Sequence, residues 1–410
     1  MGKKILYISY DGMTDPLGQS QVLPYLVGLS KEGYEFTILS FEKKDRFERV
    51  RPVIDEIINA AGIKWEPMSF TTNPPVLSKF YDAVRMKRKA FALHRRNKYD
   101  MIHCRSYIAA DLGLQLKRRT GVKFFFDMRG FWADEKKDAG TWDQRKWIFR
   151  RVYQYYKKKE KAFLREADYI ISLTEAGKLE MSRWPGYEPS VPLTVIPCCS
   201  DMDHFSLVTV QEKQRGREIL HLPAQSLVVS YLGSIGAWYM LDEMLLLFSF
   251  IKKKFTDAKF LFITHSPKDT IISKAAALGI SGNDIVIVEA SRKEVPLYCK
   301  ASDINISFIK PVYSKISSSP TKLGEVLAMG LPVIVNSGVG DVEAIVKNSH
   351  SGFVLHHFNE AEYQAATDAI PQLLSTAPAR IRENIADIYS LSHGIQLYSK
   401  AYKQVLGDQP

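Results

Sequence analysis

A long alternation of short apolar runs with helical patterns limits the fold of this chain more than any other feature. In the first half, "ILYIS", "FTILSF", "MIHC", "KFFFDM", "YIISLT" and "LTVIP" each read as a short buried strand. In the second half, "LVVSYLG", "FLFITH", "IVIVEA", "DINISFI", "PVIVN" and "GFVLH" do the same. Helix-period stretches such as "SQVLPYLVGLSKEG" and "YMLDEMLLLFSFIKKKF" lie between them. Strands that alternate with helices imply parallel sheets covered on both faces. About twelve strands are too many for one doubly wound sheet, so the 410 residues, 46% of them hydrophobic, predict two Rossmann-like α/β domains. The boundary is expected in "VIPCCSDMDHFSLVTVQEKQ", where a strand ends at Pro197 and a polar segment leads to a new strand at Leu227. The domains are drawn as residues 1–205 and 206–386, followed by a terminal segment, 387–410. The closing stretch "RENIADIYSLSHGIQLYSKAYKQVLG" reads as a broken pair of helices with one Tyr/Leu stripe.

Charge is unevenly spread. The net charge is +11, and residues 1–205 carry 36 Lys and Arg against 26 Asp and Glu, which leaves the rest near neutral. Two stretches are dense in cations, "RMKRKAFALHRRNK" and "RKWIFRRVYQYYKKKEKAFLR", and both mix them with aromatic and aliphatic residues. That mixture suits an anionic membrane surface, a phosphate-bearing lipid or nucleic acid, or it belongs to solvated helix faces. No nucleic-acid motif accompanies it, so nucleic acid is not the expected partner. The four cysteines show no CxxC or Cys/His spacing, which supports neither a disulfide framework nor a zinc site and fits a reducing cytosol. "KKILYISY" lacks the cleavage site of a leader, and no apolar run reaches membrane-spanning length.

Open α/β sheets bind ligands at the carboxyl ends of their strands, so the strand-end loops are the places to search. In "SSSPTKLGEVLAMGLPVI", Pro320 favours a helix start, and Thr321, Lys322, Gly324 and Glu325 fall on its first turns. Free N–H groups there attract phosphate, Lys322 adds a cation, and Glu325 can accept two hydrogen bonds from a ribose diol. The alternative is a capped helix with a solvated Lys and Glu. "SYLGSIGAWYMLDEM" places Gly233, Ser234 and Gly236 between a strand and a helix, where glycines let backbone approach a pyrophosphate. "ITHSP" adds His265 and Ser266, "EASRKEVPLY" follows another strand, and "NSGVGDVEAIV" leads into a helix at Asp341.

Three loops in the first half have matching chemistry. "YDGMTDPLGQSQ" sets Gly18, Gln19 and Ser20 at a helix start, with Asp11 and Asp15 nearby. "MIHCRSYIAADL" offers His103, Arg105 and Ser106, and "FFFDMRGFWADEKKDAG" offers Asp127, Arg129, Asp134 and Glu135. Charges that follow a buried "FFF" strand are costly unless they pair or bind something, so they form either an internal Asp127–Arg129 network or a ligand site.

Taken together, "SPTKLGEVLAMGLPVI", "VIPCCSDMDHF" and "YLGSIG…LDEML" resemble the retaining glycosyltransferases of family four, which have the GT-B fold. The opening "KILYISYDGMTDPLGQSQVLPYLVGLSKEGYEFTILSF" looks like that family's first strand, Gly-rich loop, helix and second strand, so the resemblance spans nearly the whole chain. It implies two Rossmann-like domains facing across a cleft, with the C-terminal helix crossing back to the first. It also implies a nucleotide-diphosphate sugar donor on the second domain and a glycan or lipid-linked glycan acceptor on the first. Transfer is expected to proceed with retention and without metal or cofactor, in polysaccharide or glycoconjugate biosynthesis. The setting is cytoplasmic, with peripheral contact to an anionic inner membrane face through the basic first domain.

Residue by residue, Glu325 matches the second of the family's two glutamates and is assigned to the donor ribose. The first falls at Ser317, where the family contacts the transferred sugar. The family's Arg and Lys after the first strand of this domain fall on Ser234 and "AWYM", without a cation. Lys322, helped by Arg129, is therefore expected to neutralise the diphosphate. Thr321, Gly233, Ser234, Gly236 and His265 complete the expected donor set. Gly18, Gln19, Arg105 and Glu135 form the expected acceptor set, and His103, Asp127 and Arg129 the catalytic one. The family's His-x-His appears here as His103 followed by Arg105. "DMD" at Asp201 to Asp203 resembles a metal-binding D-x-D of another glycosyltransferase fold but lies in the junction, and is read as linker hydrogen bonding. A sugar-nucleotide epimerase of the same fold and a non-enzymatic basic nucleic-acid-binding module are the competing readings.

Overall fold

The computed structural model describes residues 2–71 and 75–407. The chain divides into two compact units, one of residues 1–197 and 391–410, the other of residues 198–390. The first unit thus ends at Pro197 rather than 205 and resumes at Leu391 rather than 387. Cys198 and Ser200 belong to the second unit because their N–H groups donate to Ser319 Oγ (3.1 Å) and to the Tyr389 carbonyl (2.7 Å).

The first unit is built on β1 (Lys4–Ser9), β2 (Glu35–Glu42), β3 (Lys64–Ser69), β4 (Met101–Arg105), β5 (Lys123–Asp127), β6 (Tyr169–Ser172) and β7 (Leu193–Val195). All pair in parallel, in the order β3-β2-β1-β4-β5-β6-β7. β3 is the strand that the apolar pattern does not reveal. Its "KWEPMS" is only partly buried and carries Pro67, which an edge strand tolerates because one side of its ladder is unpaired. The expected helix in "SQVLPYLVGLSKEG" is two, Pro16–Gln21 and Leu23–Ser30, broken at Val22 (φ −127°, ψ −65°). Pro24 lies just beyond the break and disfavours a continuous helix through it.

The second unit has β8 (Val228–Leu232), β9 (Lys259–Ile263), β10 (Ile285–Val288), β11 (Ile304–Ser307), β12 (Val333–Asn336) and β13 (Gly352–Leu355), all parallel, in the order β10-β9-β8-β11-β12-β13. Its strands are Val/Ile/Phe-rich because helices cover both faces. The helix Leu241–Lys254 buries Met244, Leu245, Leu247, Phe248 and Ile251, with acids in its first turn and three lysines in its last, matching the helix dipole. Each sheet reverses its strand order once, between β1 and β4 and between β8 and β11. Those switch points open crevices at the strand carboxyl ends.

The terminal segment is a broken helix pair, Pro378–Tyr389 and Leu391–Leu406, separated by the extended Ser390. The second helix packs on Leu23–Ser30 within the first unit. Tyr398 meets Tyr25 edge-on at 5.4 Å, Tyr402 meets Tyr34 at 5.2 Å, and the Ser399 hydroxyl donates to Glu32. Among the described residues, no helix is long and apolar enough to cross a membrane.

Candidate active site

In the second unit, β8 runs fully buried to Leu232, and Gly233 then turns at φ +111°. That conformation favours glycine, and space is tight too, because a Cβ on Gly233 would lie 3.1 Å from Lys322 Nζ. Lys322 stands in the first turn of the helix Thr321–Ala328, which starts at Pro320 without a side-chain cap. Its buried ammonium donates to Tyr231 Oη at 3.0 Å and sits 3.5 Å from the ring centre of Tyr239 and 4.3 Å from that of Tyr231. Burial holds Lys322 well below the usual lysine range, with Glu325 pulling the other way. Burial thus disfavours the charged ammonium, and an approaching anion would favour it.

Glu325 lies one turn further along. Its side chain is 13% exposed, and Oε1 is 3.6 Å from Arg292 Nη1. Burial pushes its carboxyl up to about 7, against the pull of Arg292 and Lys322. Arg292, from the loop after β10, also lies over the Phe205 ring at 5.7 Å. Tyr231, Tyr239 and Arg292 were not singled out from the sequence. Tyr231 reads there as a strand residue, and only the loop "EASRKEVPLY" pointed toward Arg292.

The other expected donor residues take varied positions. Ser234 is exposed, and its carbonyl accepts from Tyr231 Oη (2.8 Å). Gly236 faces open space, so no crowding demands glycine there. Ser317 is buried in the turn Tyr313–Ser317, its hydroxyl donating to the Ser314 carbonyl at 3.1 Å. Thr321 is the first helical residue. His265 is exposed, with Nδ1 3.2 Å from Glu289 Oε2. Its neighbour Ser266 accepts the Ile235 N–H at 2.7 Å and so ties the glycine loop to the loop after β9.

In the first unit, His103, Arg105 and Asp127 are all buried at the ends of β4 and β5. His103 Nδ1 lies 2.6 Å from Tyr402 Oη, and Tyr398 Oη donates to Asp127 Oδ2 at 3.1 Å. His103 Nε2 approaches the same carboxylate at 3.5 Å, Arg105 Nη1 at 4.0 Å and Arg129 Nη1 at 3.9 Å. Burial pushes Asp127 upward, but Arg129, His103 and Arg105 outweigh it and keep the carboxyl below its ordinary value. Burial lowers His103, with Asp127 opposing. The result is an anionic Asp127 beside a neutral His103, both held by the C-terminal helix. The tyrosines that do this read in the sequence only as an apolar stripe.

Gly18 is required by close approach, since a Cβ would come within 2.6 Å of Met13 Cα. Gln19 folds back, its Nε2 donating to the Thr14 carbonyl at 3.0 Å. The loop before it is organised by Glu42, which accepts from the Met13 N–H (2.8 Å) and the Thr14 hydroxyl (2.6 Å). Glu135 lies on the short helix Trp132–Asp138, and the neighbouring Asp134 pairs with Lys157 at 2.9 Å. In the junction, Asp201 Oδ1 accepts the N–H groups of Asp203 (3.0 Å) and His204 (3.1 Å). No group of three or more His, Cys, Asp or Glu side chains set to hold a metal occurs among the described residues.

Two family models match the chain, Glycosyltransferase Family 4 over residues 21–204 and Glycosyl transferases group 1 over residues 212–387. No curated protein matches the sequence closely enough to count as a relative. Solved structures match over nearly the whole length. A sucrose-phosphate synthase from Thermosynechococcus elongatus is 15% identical, with a TM-score of 0.72 over 99% of this chain and 100% of its own. Anabaena HepE in complex with UDP and glucose is 13% identical, with a TM-score of 0.71 over 98% and 99%. A putative UDP-N-acetylglucosamine 2-epimerase from Listeria monocytogenes is 11% identical, with a TM-score of 0.60 over 100% and 98%. At these identities the structural likeness establishes the two-domain GT-B-like fold, which transferases and an epimerase share. The family models separate the two.

Proposed function

We propose that this chain, which belongs to the family 4, group 1 glycosyltransferases and is a nucleotide-sugar glycosyltransferase, binds its donor at the β8 and Thr321–Ala328 rim of the second unit. The observation that carries this is the meeting of Gly233, Lys322 and Glu325 at the switch point between β8 and β11. The diphosphate rests against the Gly233 backbone and the uncapped helix start, with Lys322 as its cation. The Glu325 carboxyl accepts the ribose diol, with Arg292 beside it favouring the ionised form. UDP is the first nucleotide to try, because the HepE structure contains it.

Transfer passes through an oxocarbenium-like state as the diphosphate departs. Lys322 and the helix N–H groups oppose the charge that develops on it, so their contribution grows toward the transition state. We place the acceptor, a glycan or lipid-linked glycan, on the first unit near Arg105, Glu135 and the Gly18–Gln19 turn. Retention of configuration, with the leaving phosphate taking the acceptor proton and no metal, completes the proposal. The Listeria structure shares this fold, so the experiment sets transfer against epimerisation. Incubation with UDP-, GDP- and ADP-sugars separates them. A transferase releases nucleoside diphosphate, faster with acceptor present, whereas an epimerase returns a stereoisomer with the nucleotide still attached.

A further inference from the structure

We infer that the outer face of the helix Trp147–Glu166 docks the protein on an anionic lipid bilayer. The helix turns Phe163, Leu164 and Glu160 inward, and Lys157 pairs inward with Asp134 and Glu160. Its opposite face carries Arg150, Arg151, Lys158 and Lys161, which the helical period sets on one side and which are all exposed. None of these four side chains has an ion pair or hydrogen bond among the described residues. The acidic residues of the helix are not on that face, since Glu160 is buried and Glu166 pairs with Arg118. At the amino end of the same face, Trp147 is 72% and Ile148 41% exposed.

A row of unpaired cations gives electrostatic attraction to anionic headgroups, and an exposed indole beside an isoleucine gives insertion at the interface. On the other basic helix, Pro75–Asn97, part of the charge is already paired among the described residues. Its Arg85 is committed to Asp82 and its Lys89 to Glu66. Nucleic acid would use the cations but would have no use for Ile148 next to Trp147. Lipid docking needs no nucleotide, so its failure and the failure of the donor-site reading are visible separately.

The test is co-sedimentation with vesicles of phosphatidylcholine alone and of phosphatidylcholine mixed with an equal share of phosphatidylglycerol. The protein is expected to bind the mixed vesicles, to leave the neutral ones in solution, and to be released as salt rises. Reversing three cations (Arg150→Glu, Arg151→Glu, Lys158→Glu) is expected to lower partition at least about tenfold. Trp147→Ser is expected to lower it several-fold, and it decides alone if the triple variant melts early. Arg88→Glu with Arg95→Glu and Arg96→Glu, on the other basic helix, leaves binding unchanged. Equal binding to both vesicles, or full binding by the triple variant and by Trp147→Ser, overturns the inference. A duplex RNA that binds more tightly than the anionic vesicles, and is lost in the triple variant, overturns it in favour of nucleic acid.

Discussion

Gly233 packs close against Lys322: a Cβ on Gly233 would lie 3.1 Å from Lys322 Nζ and 3.4 Å from its Cε, so the ammonium would have to shift slightly. Gly233→Ala therefore forces a left-handed backbone on alanine and displaces the ammonium together. Stability is expected to fall by about 1–3 kcal/mol and nucleotide affinity to fall with it. Chemical denaturation and calorimetry on the same preparation read both.

Lys322 costs stability and is expected to return it only on binding an anion. Lys322→Met removes a buried, weakly ionised group and keeps an unbranched apolar chain near Tyr231 and Tyr239. The variant is expected to be at least as stable as the parent. Its affinity for nucleoside diphosphate is expected to fall by about 1.5–3 kcal/mol, the scale of a hydrogen bond to a charged group. A variant that loses stability but keeps its affinity would make Lys322 a packing residue.

The Glu325 carboxyl titrates at about 7 in the folded protein, against an ordinary value of 4.5. The folded state thus holds the proton more tightly than the unfolded chain does. The stability this confers is fully present below pH 4.5 and is lost as pH rises through 7. Glu325→Gln abolishes that dependence. At pH 8 the variant is expected to be more stable than the parent by about 3 kcal/mol, with the difference closing toward pH 5. Melting curves across that range check it.

Tyr402→Phe removes the hydroxyl 2.6 Å from His103 Nδ1 and leaves a buried ring nitrogen without its partner. A loss of about 1–3 kcal/mol is expected, with UDP affinity in the second unit unchanged. Thermal unfolding and UDP titration of the same variant separate the two effects.

Most strand positions are legible in the sequence because parallel strands covered on both faces must be apolar along their length. β3 escapes that signal, since Pro67 and a half-exposed edge remove the pattern. The helix break at Val22 is signalled by Pro24 but is easily overridden by the continuous apolar period around it.

The donor rim is partly legible. Lys322 and Glu325 share one helix start, and Gly233 announces itself as a strand-end glycine. Tyr231, Tyr239 and Arg292 join them only because β8 and β10 end at the same rim, which no local pattern encodes. The His103 contact with Tyr402 joins residues 299 positions apart and is invisible until the terminal helix is in place.

Calorimetric titration of UDP, GDP, CMP and ADP into the protein and into Glu325→Ala probes the donor site most directly. One nucleoside diphosphate, UDP first among them, is expected to bind the parent and to lose at least about tenfold in affinity with the variant. Binding of none of them, or equal binding of one by both proteins, would contradict a donor site at Gly233, Lys322 and Glu325.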